Sequence, residues 1–241
     1  MFQWFALKTY SPFLAHCQLF PSRCLACGTP CDRADWCTPC RARLPWVEGN
    51  RCPQCAARHS AYGLCGQCQT QPPAFTACVP ALAYRPPIDQ YIRALKYRSQ
   101  LLYARLCGEL LVHAVQNHFD LAPAPQPECI IPVPLHSRRL CRRGFNQALE
   151  IARPVARRFG LPIDYHCLKR IRATQAQTHL SPRDRASNVK GAFLIHRQPP
   201  YKRVALIDDV MTTGHTANEI AHCLKRAGVE KIEVWVVARA G

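Results

Sequence analysis

Carboxylates are scarce in this chain: 15 Asp and Glu stand against 32 Lys and Arg in 241 residues, a formal charge of +17. That balance directs attention to polyanionic or phosphorylated partners, with mere solubility as the bland alternative. Also missing is an apolar run of bilayer length. The opening MFQWFALKTYSPFLAHCQLF interrupts its apolar residues with Lys8, Pro12 and His16. It is too broken to span a membrane and lacks the charged n-region of a secretory leader. It also lacks the basic polar face of an interfacial helix. We expect no membrane span, a cytoplasmic location, and an irregular packing helix over residues 2–20. Global disorder is excluded by a hydrophobic content of 48%.

A P-loop is absent as well. The turn that would carry one has a single glycine and no lysine, and what stands there is Val204–Thr216, VALIDDVMTTGHT. Val204, Ala205, Leu206 and Ile207 read as a buried strand of a parallel sheet. Asp208 and Asp209 follow, then Val210, Met211, Thr212, Thr213, Gly214, His215 and Thr216. Ala217, Ile220, Ala221 and Leu224 then fall at helical spacing, with Gly228 as the stop. A hydroxyl-rich turn opening a helix offers N–H groups and a favourable dipole to an anion. The carboxylates just before it can accept hydrogen bonds from vicinal hydroxyls. Together they describe a site for a ribose 5-phosphate, against the bland alternative of an ordinary capped turn.

Cysteine is abundant, 16 in all, and ten lie between Cys17 and Cys68. Cys24-x-x-Cys27 and Cys37-x-x-Cys40 recur 28 residues later as Cys52-x-x-Cys55 and Cys65-x-x-Cys68. Four soft ligands per frame suit tetrahedral Zn²⁺. A redox role for Cys-x-x-Cys needs a thioredoxin-like βαβ context, which is lacking here. We expect two structural zinc ions, with Cys31 outside both sites. Residues 24–68 hold too few apolar side chains for a core, so the metal should supply the folding energy.

Between these landmarks the pattern is α/β. An edge strand or linker occupies Ala74–Tyr84, and helices are expected from Ile88 and from Leu101 to Phe119. Cys129–Ile131 forms a second buried strand, ended by Pro132, Val133 and Pro134. A basic loop holding Arg138, Arg139, Arg142 and Arg143 comes next, then a helix kinked or broken near Pro154. Ligands in open α/β sheets sit beyond the carboxyl ends of strands, so loops 132–144 and 208–216 should meet. Such a cluster suits a diphosphate, though a solvated basic loop is the plainer alternative. Short strands and a polar loop over 164–197 fit a hood with a mobile segment. A last strand is expected over Ile232–Ala238.

Val204–Thr216 resembles the signature of the type I phosphoribosyltransferases. With the double cysteine frame, Pro132-Val133-Pro134-Leu135, Arg143-Gly144-Phe145-Asn146-Gln147, Gln175 and Arg185-x-x-Asn188-Val189, nearly the whole chain is similar to the ComF family. The resemblance implies an α/β, type I phosphoribosyltransferase fold, a parallel sheet flanked by helices, with a small N-terminal double zinc-ribbon domain. We divide the chain into a packing segment (1–22), a double ribbon (23–72) and a phosphoribosyltransferase-like domain (73–241). The family pattern implies that Asp208 and Asp209 are the catalytic pair steadying the ribose of Mg²⁺–phosphoribosyl pyrophosphate. Val210–Thr216 would bind its 5-phosphate, and Pro132, Val133, Pro134, Arg142 and Arg143 its diphosphate. It further implies a link to natural competence, with single-stranded DNA and competence proteins as partners. His215 departs from the pattern, which has a small residue there, and would narrow the phosphate site. A non-catalytic DNA- or protein-binding module on the same fold is the alternative function.

Overall fold

The structure, a computed structural model, describes residues 23–31, 36–60, 62–121, 125–173 and 189–241. The expected N-terminal helix, most of the proline-rich 122–126 loop, and Gln175, Arg183, Arg185 and Asn188 of the polar loop lie outside the described residues. The chain divides into two compact units, Met1–Leu44 and Pro45–Gly241.

Each unit holds one cysteine frame with one short helix, α1 (Thr38–Ala42) in the first and α2 (Gly66–Thr70) in the second. The second unit also holds β1 (Ala77–Ala83), α3 (Ile88–Arg98), α4 (Leu102–Leu121), β2 (Cys129–Pro132), α5 (Ser137–Arg143), α6 (Gln147–Phe159), β3 (Leu168–Arg170), β4 (Phe193–Ile195), β5 (Arg203–Met211), α7 (His215–Arg226) and β6 (Lys231–Arg239). Strands β1, β6, β5 and β2 lie in that order in one all-parallel sheet. Parallel strands are covered on both faces, which explains continuous apolar runs such as VALI in β5 and the almost wholly buried β6. A separate antiparallel pair, β3 with β4, accounts for the short strands expected over 164–197.

Three local readings change. β5 does not stop at Ile207; it runs through the acidic pair to Met211, because β6 is long enough to pair Asp208 with Val236 and Met211 with Arg239. The basic loop folds into α5, since His136 Nδ1 accepts the Arg138 N–H at 3.3 Å and Gly144, at φ +82°, closes the far end. α6 passes through Pro154 without a break. The proline ring lies over Gly108 of α4, where a Cβ would come within 2.3 Å of Pro154 Cγ, so only glycine admits the two helices at this separation.

Candidate active site and metal centres

All four strands of the parallel sheet end at the same edge, and a cavity of about 600 Å³ opens there. Tyr84 follows β1, Val133, Leu135, Arg139 and Arg143 follow β2, Asp208–Ala217 end β5 and open α7, and Ala240 and Gly241 follow β6. Lys96 and Tyr97 from α3 and Arg170 from β3 complete the wall. This is the position at which open α/β sheets bind ligands.

Asp209 is almost fully buried and forms an ion pair with Lys96. Burial works against its ionisation, yet the Lys96 ammonium and the adjoining Asp208 hold its pKa below the usual carboxylate value. Asp208 behaves oppositely: burial, then the charge of Asp209, push its carboxyl well above the ordinary range. Its Oδ1 accepts the Asp209 backbone N–H at 2.8 Å. Burial also disfavours the Lys96 ammonium, but Asp209 raises its pKa overall. Asp208 lines the cavity, so a cation or a hydroxyl group bound there can approach its carboxyl.

Beyond the acidic pair the chain turns into α7. Gly214, at φ +80°, is the N-cap of the twelve-residue α7 and starts its hydrogen-bonding pattern by accepting the Asn218 N–H at 2.9 Å. A helix start leaves its first N–H groups without partners inside the helix, and Thr212, Thr213 and Thr216 line the cavity at that point. His215 is the first helical residue and lines the same cavity.

Cationic side chains line the same cavity. Arg139 and Arg143 are four apart on α5 and so share one helix face. Arg143 donates to Gln147 Oε1, at the start of α6. Asn146 caps α6 by accepting the Ala148 N–H at 3.0 Å, and its Nδ2 donates to the Val133 carbonyl at 3.1 Å. This is the physical content of Arg143-Gly144-Phe145-Asn146-Gln147: a stop, a cap and a tether that fix where Arg143 points. Burial, then the charge of Arg139, bring Arg170 down to about 10, which leaves it cationic at neutral pH.

Of the expected site residues, Val133, Arg143 and the whole of Asp208–Thr216 meet in the cavity. Pro132 is the buried last residue of β2, Pro134 follows Val133, and Arg142 is exposed on another face of α5; none of these three lines it. Lys96, Tyr84, Tyr97, Gln147 and Arg170 were not anticipated in the site. Lys96 closes an apolar helical stripe and gave no sequence signal. The Arg139/Arg143 spacing is legible only once α5 is known to be helical.

The cysteine frames assemble as expected. In each of the sets Cys24, Cys27, Cys37, Cys40 and Cys52, Cys55, Cys65, Cys68, the four sulfurs lie within 4.8 Å of one another. The donor chemistry fits zinc. Burial opposes ionisation of Cys24 and Cys52, but backbone N–H groups, including those of Cys27 and Cys55, bring both to about 6. Cys40, by contrast, is pushed up to about 12 by the neighbouring thiols, Cys37 first. Four such sulfurs cannot all ionise unless a cation sits among them. With four thiolates the coordination sphere is complete, so the role is structural.

The fold and its two cysteine sites define a phosphoribosyltransferase-type protein with a double zinc ribbon. Residues 16–69 match the double zinc ribbon domain and residues 146–241 the phosphoribosyl transferase domain. The chain is 35% identical over 223 residues to the DNA utilization protein YhgH of Salmonella typhi, covering 91% of this chain and 97% of that protein. Its Escherichia coli K12 counterpart is 34% identical over the same length. Competence protein F of Haemophilus influenzae is 42% identical over 146 residues, 59% of this chain and 64% of that one. The chain belongs to the ComF family. Among solved structures it is similar to the glutamine phosphoribosylpyrophosphate amidotransferase from B. subtilis (19% identity, 56% of this chain, 26% of that chain, TM-score 0.36). It is also similar to a purine phosphoribosyltransferase from Pyrococcus horikoshii (15% identity, 56% and 71%, TM-score 0.33). No helix among the described residues is long and apolar enough to cross a membrane.

Proposed function

We propose that the protein binds Mg²⁺–phosphoribosyl pyrophosphate and transfers its phosphoribosyl group to a nitrogen nucleophile, in the cytoplasm, as part of DNA uptake or use. One observation carries this reading: an acidic pair, a helix-opening threonine turn and a cationic wall share a single cavity of about 600 Å³. Asp208 and Asp209 accept hydrogen bonds from the ribose hydroxyls. Thr212–Thr216 hold the 5-phosphate. Lys96, Arg139, Arg143 and Arg170 face the diphosphate and stabilise its growing charge as it leaves. Asp208 and Asp209 would hold Mg²⁺ together with the ligand, and the ion would supply charge neutralisation at the diphosphate. No protein nucleophile is needed, because positioning and charge stabilisation supply the catalysis. Pyrophosphate release on incubation with Mg²⁺–phosphoribosyl pyrophosphate and a panel of nitrogen acceptors tests it. Release with none of them, despite binding, favours the sensor or scaffold reading.

The exposed arginines support a second, compatible role. Arg138 and Arg142 on α5 and Arg157 on α6 are exposed, and the chain is similar to relatives named for DNA utilization and competence. They suit contact with the phosphates of single-stranded DNA and with competence proteins that carry it. Binding should weaken with salt, and each lost phosphate contact should make the log–log slope shallower by roughly 0.7. Affinity indifferent to salt removes this role.

A further inference from the structure

The second ribbon is built into the floor of the phosphate turn. Arg239, the last residue of β6, is 7% exposed. Its Nε donates to the backbone carbonyl of Cys55 at 3.0 Å. The same guanidinium donates to the carbonyls of Met211, Thr212 and Ala240. One side chain thus joins a zinc ligand's own backbone to the residue that opens the threonine turn. A second tie runs alongside. Gln54 Nε2 donates to the carbonyls of Pro73 and Phe75, at 3.3 and 3.1 Å. The N–H of Ala74, between them, donates to Asn218 Oδ1 in the first turn of α7 at 2.7 Å. A Cβ on Gly214 would stand 3.9 Å from Phe75 Cζ, and Ala56 shares a buried cluster with Phe75, Cys78 and Met211.

We propose that the second ribbon supports the phosphate turn, and that Arg239 is the positioning residue through which the metal state of the Cys52–Cys68 site sets the order of Thr212–Thr216. This regulation rests on the proposed phosphate role of the turn. Four thiolates around zinc hold Cys55 and its carbonyl in place. Losing the metal frees that carbonyl, and the guanidinium loses one of its fixed acceptors. An arginine fork can meet several carbonyls at set angles, which a lysine ammonium cannot do. The turn should then sample more conformations while the sheet beneath stays intact.

Backbone amide hydrogen exchange of the full chain tests this without any ligand, so its outcome does not depend on phosphoribosyl pyrophosphate binding. Cys68→Ser, in the second ribbon, is compared with Cys40→Ser, its equivalent in the first, and with Arg239→Lys, which leaves all eight cysteines in place. Cys68→Ser and Arg239→Lys should each speed exchange over residues 210–217 about tenfold or more, a local opening. Cys40→Ser should leave that segment unchanged, and residues 234–237 of β6 should stay protected throughout. The Cys68→Ser/Arg239→Lys double variant should exchange no faster than the faster single variant, because both break one path. Unchanged exchange over 210–217 in Cys68→Ser, or independent effects in the double variant, overturns the proposal. If Cys68→Ser also loosens β6, Arg239→Lys with both zincs retained decides: a protected turn there overturns it equally.

Discussion

The two ribbons share each local device at a spacing of 28 residues. Arg23 bridges Pro30 as Arg51 bridges Arg58, and each arginine donates to a knuckle carbonyl at 3.0 Å, Gly28 in one and Ala56 in the other. Cys37 and Cys65 each stand at the N-cap of a five-residue helix. They part where non-ligand residues differ. The first has Ala26 and Gly28; the second has Gln54, which reaches Pro73 and Phe75, and Ala56, which takes φ +54° and buries its methyl in the core. The ligand spacing specifies a ribbon, and the residues between the ligands specify what it is attached to.

Removing one ligand from each ribbon sharpens that contrast most. Cys24→Ser and Cys52→Ser should each reduce bound zinc from two ions to one by elemental analysis. Only Cys52→Ser should also lower the melting temperature of the larger unit, with a cost on the order of 3 kcal/mol or more, since metal loss is among the few single changes of that size. Equal melting shifts would break the comparison. Gln54→Ala should cost about 1–2 kcal/mol in denaturant unfolding, because it leaves two carbonyls without their donor. Ala26→Gln should cost nothing measurable. Gly28→Ala should destabilise the first ribbon by about 1 kcal/mol, since alanine resists the left-handed region. Ala56→Gly should come out near neutral, as relief of that strain offsets the lost burial of the methyl; a clear stabilisation would mean the methyl is not held by the core.

Much of this was legible in the sequence. The cysteine frame showed because metal chemistry demands fixed ligands at fixed spacings. Asp208–Thr216 showed because consecutive residues there end a strand, turn and open a helix at one edge of the cavity. Lys96 did not, because it reaches Asp209 through tertiary packing of α3 and its neighbours in sequence read as core. Arg139 was visible as charge, but choosing Arg139 over Arg142 required the phase of α5, which depends on the His136 cap. Arg239 and Cys55 are 184 residues apart, and their bond uses a backbone carbonyl. No pattern of side chains reports such a contact.

In the proposed function, Asp208 and Asp209 grip a ribose beside a phosphate-binding turn. Calorimetric titration of Mg²⁺–phosphoribosyl pyrophosphate into wild type, Asp208→Asn and Asp209→Asn tests it most directly. Wild type should bind, and each amide should cost about 1.5–3 kcal/mol, the worth of a hydrogen bond to a charged group. Because the folded pKa of Asp208 is raised, wild-type affinity should increase as pH climbs through that titration and its carboxylate forms, with protons released on binding; Asp208→Asn should flatten the dependence. Bound zinc should stay at two ions in both variants. Absence of heat and of thermal stabilisation with wild type at millimolar ligand, or affinities unaltered by both substitutions, would contradict the account.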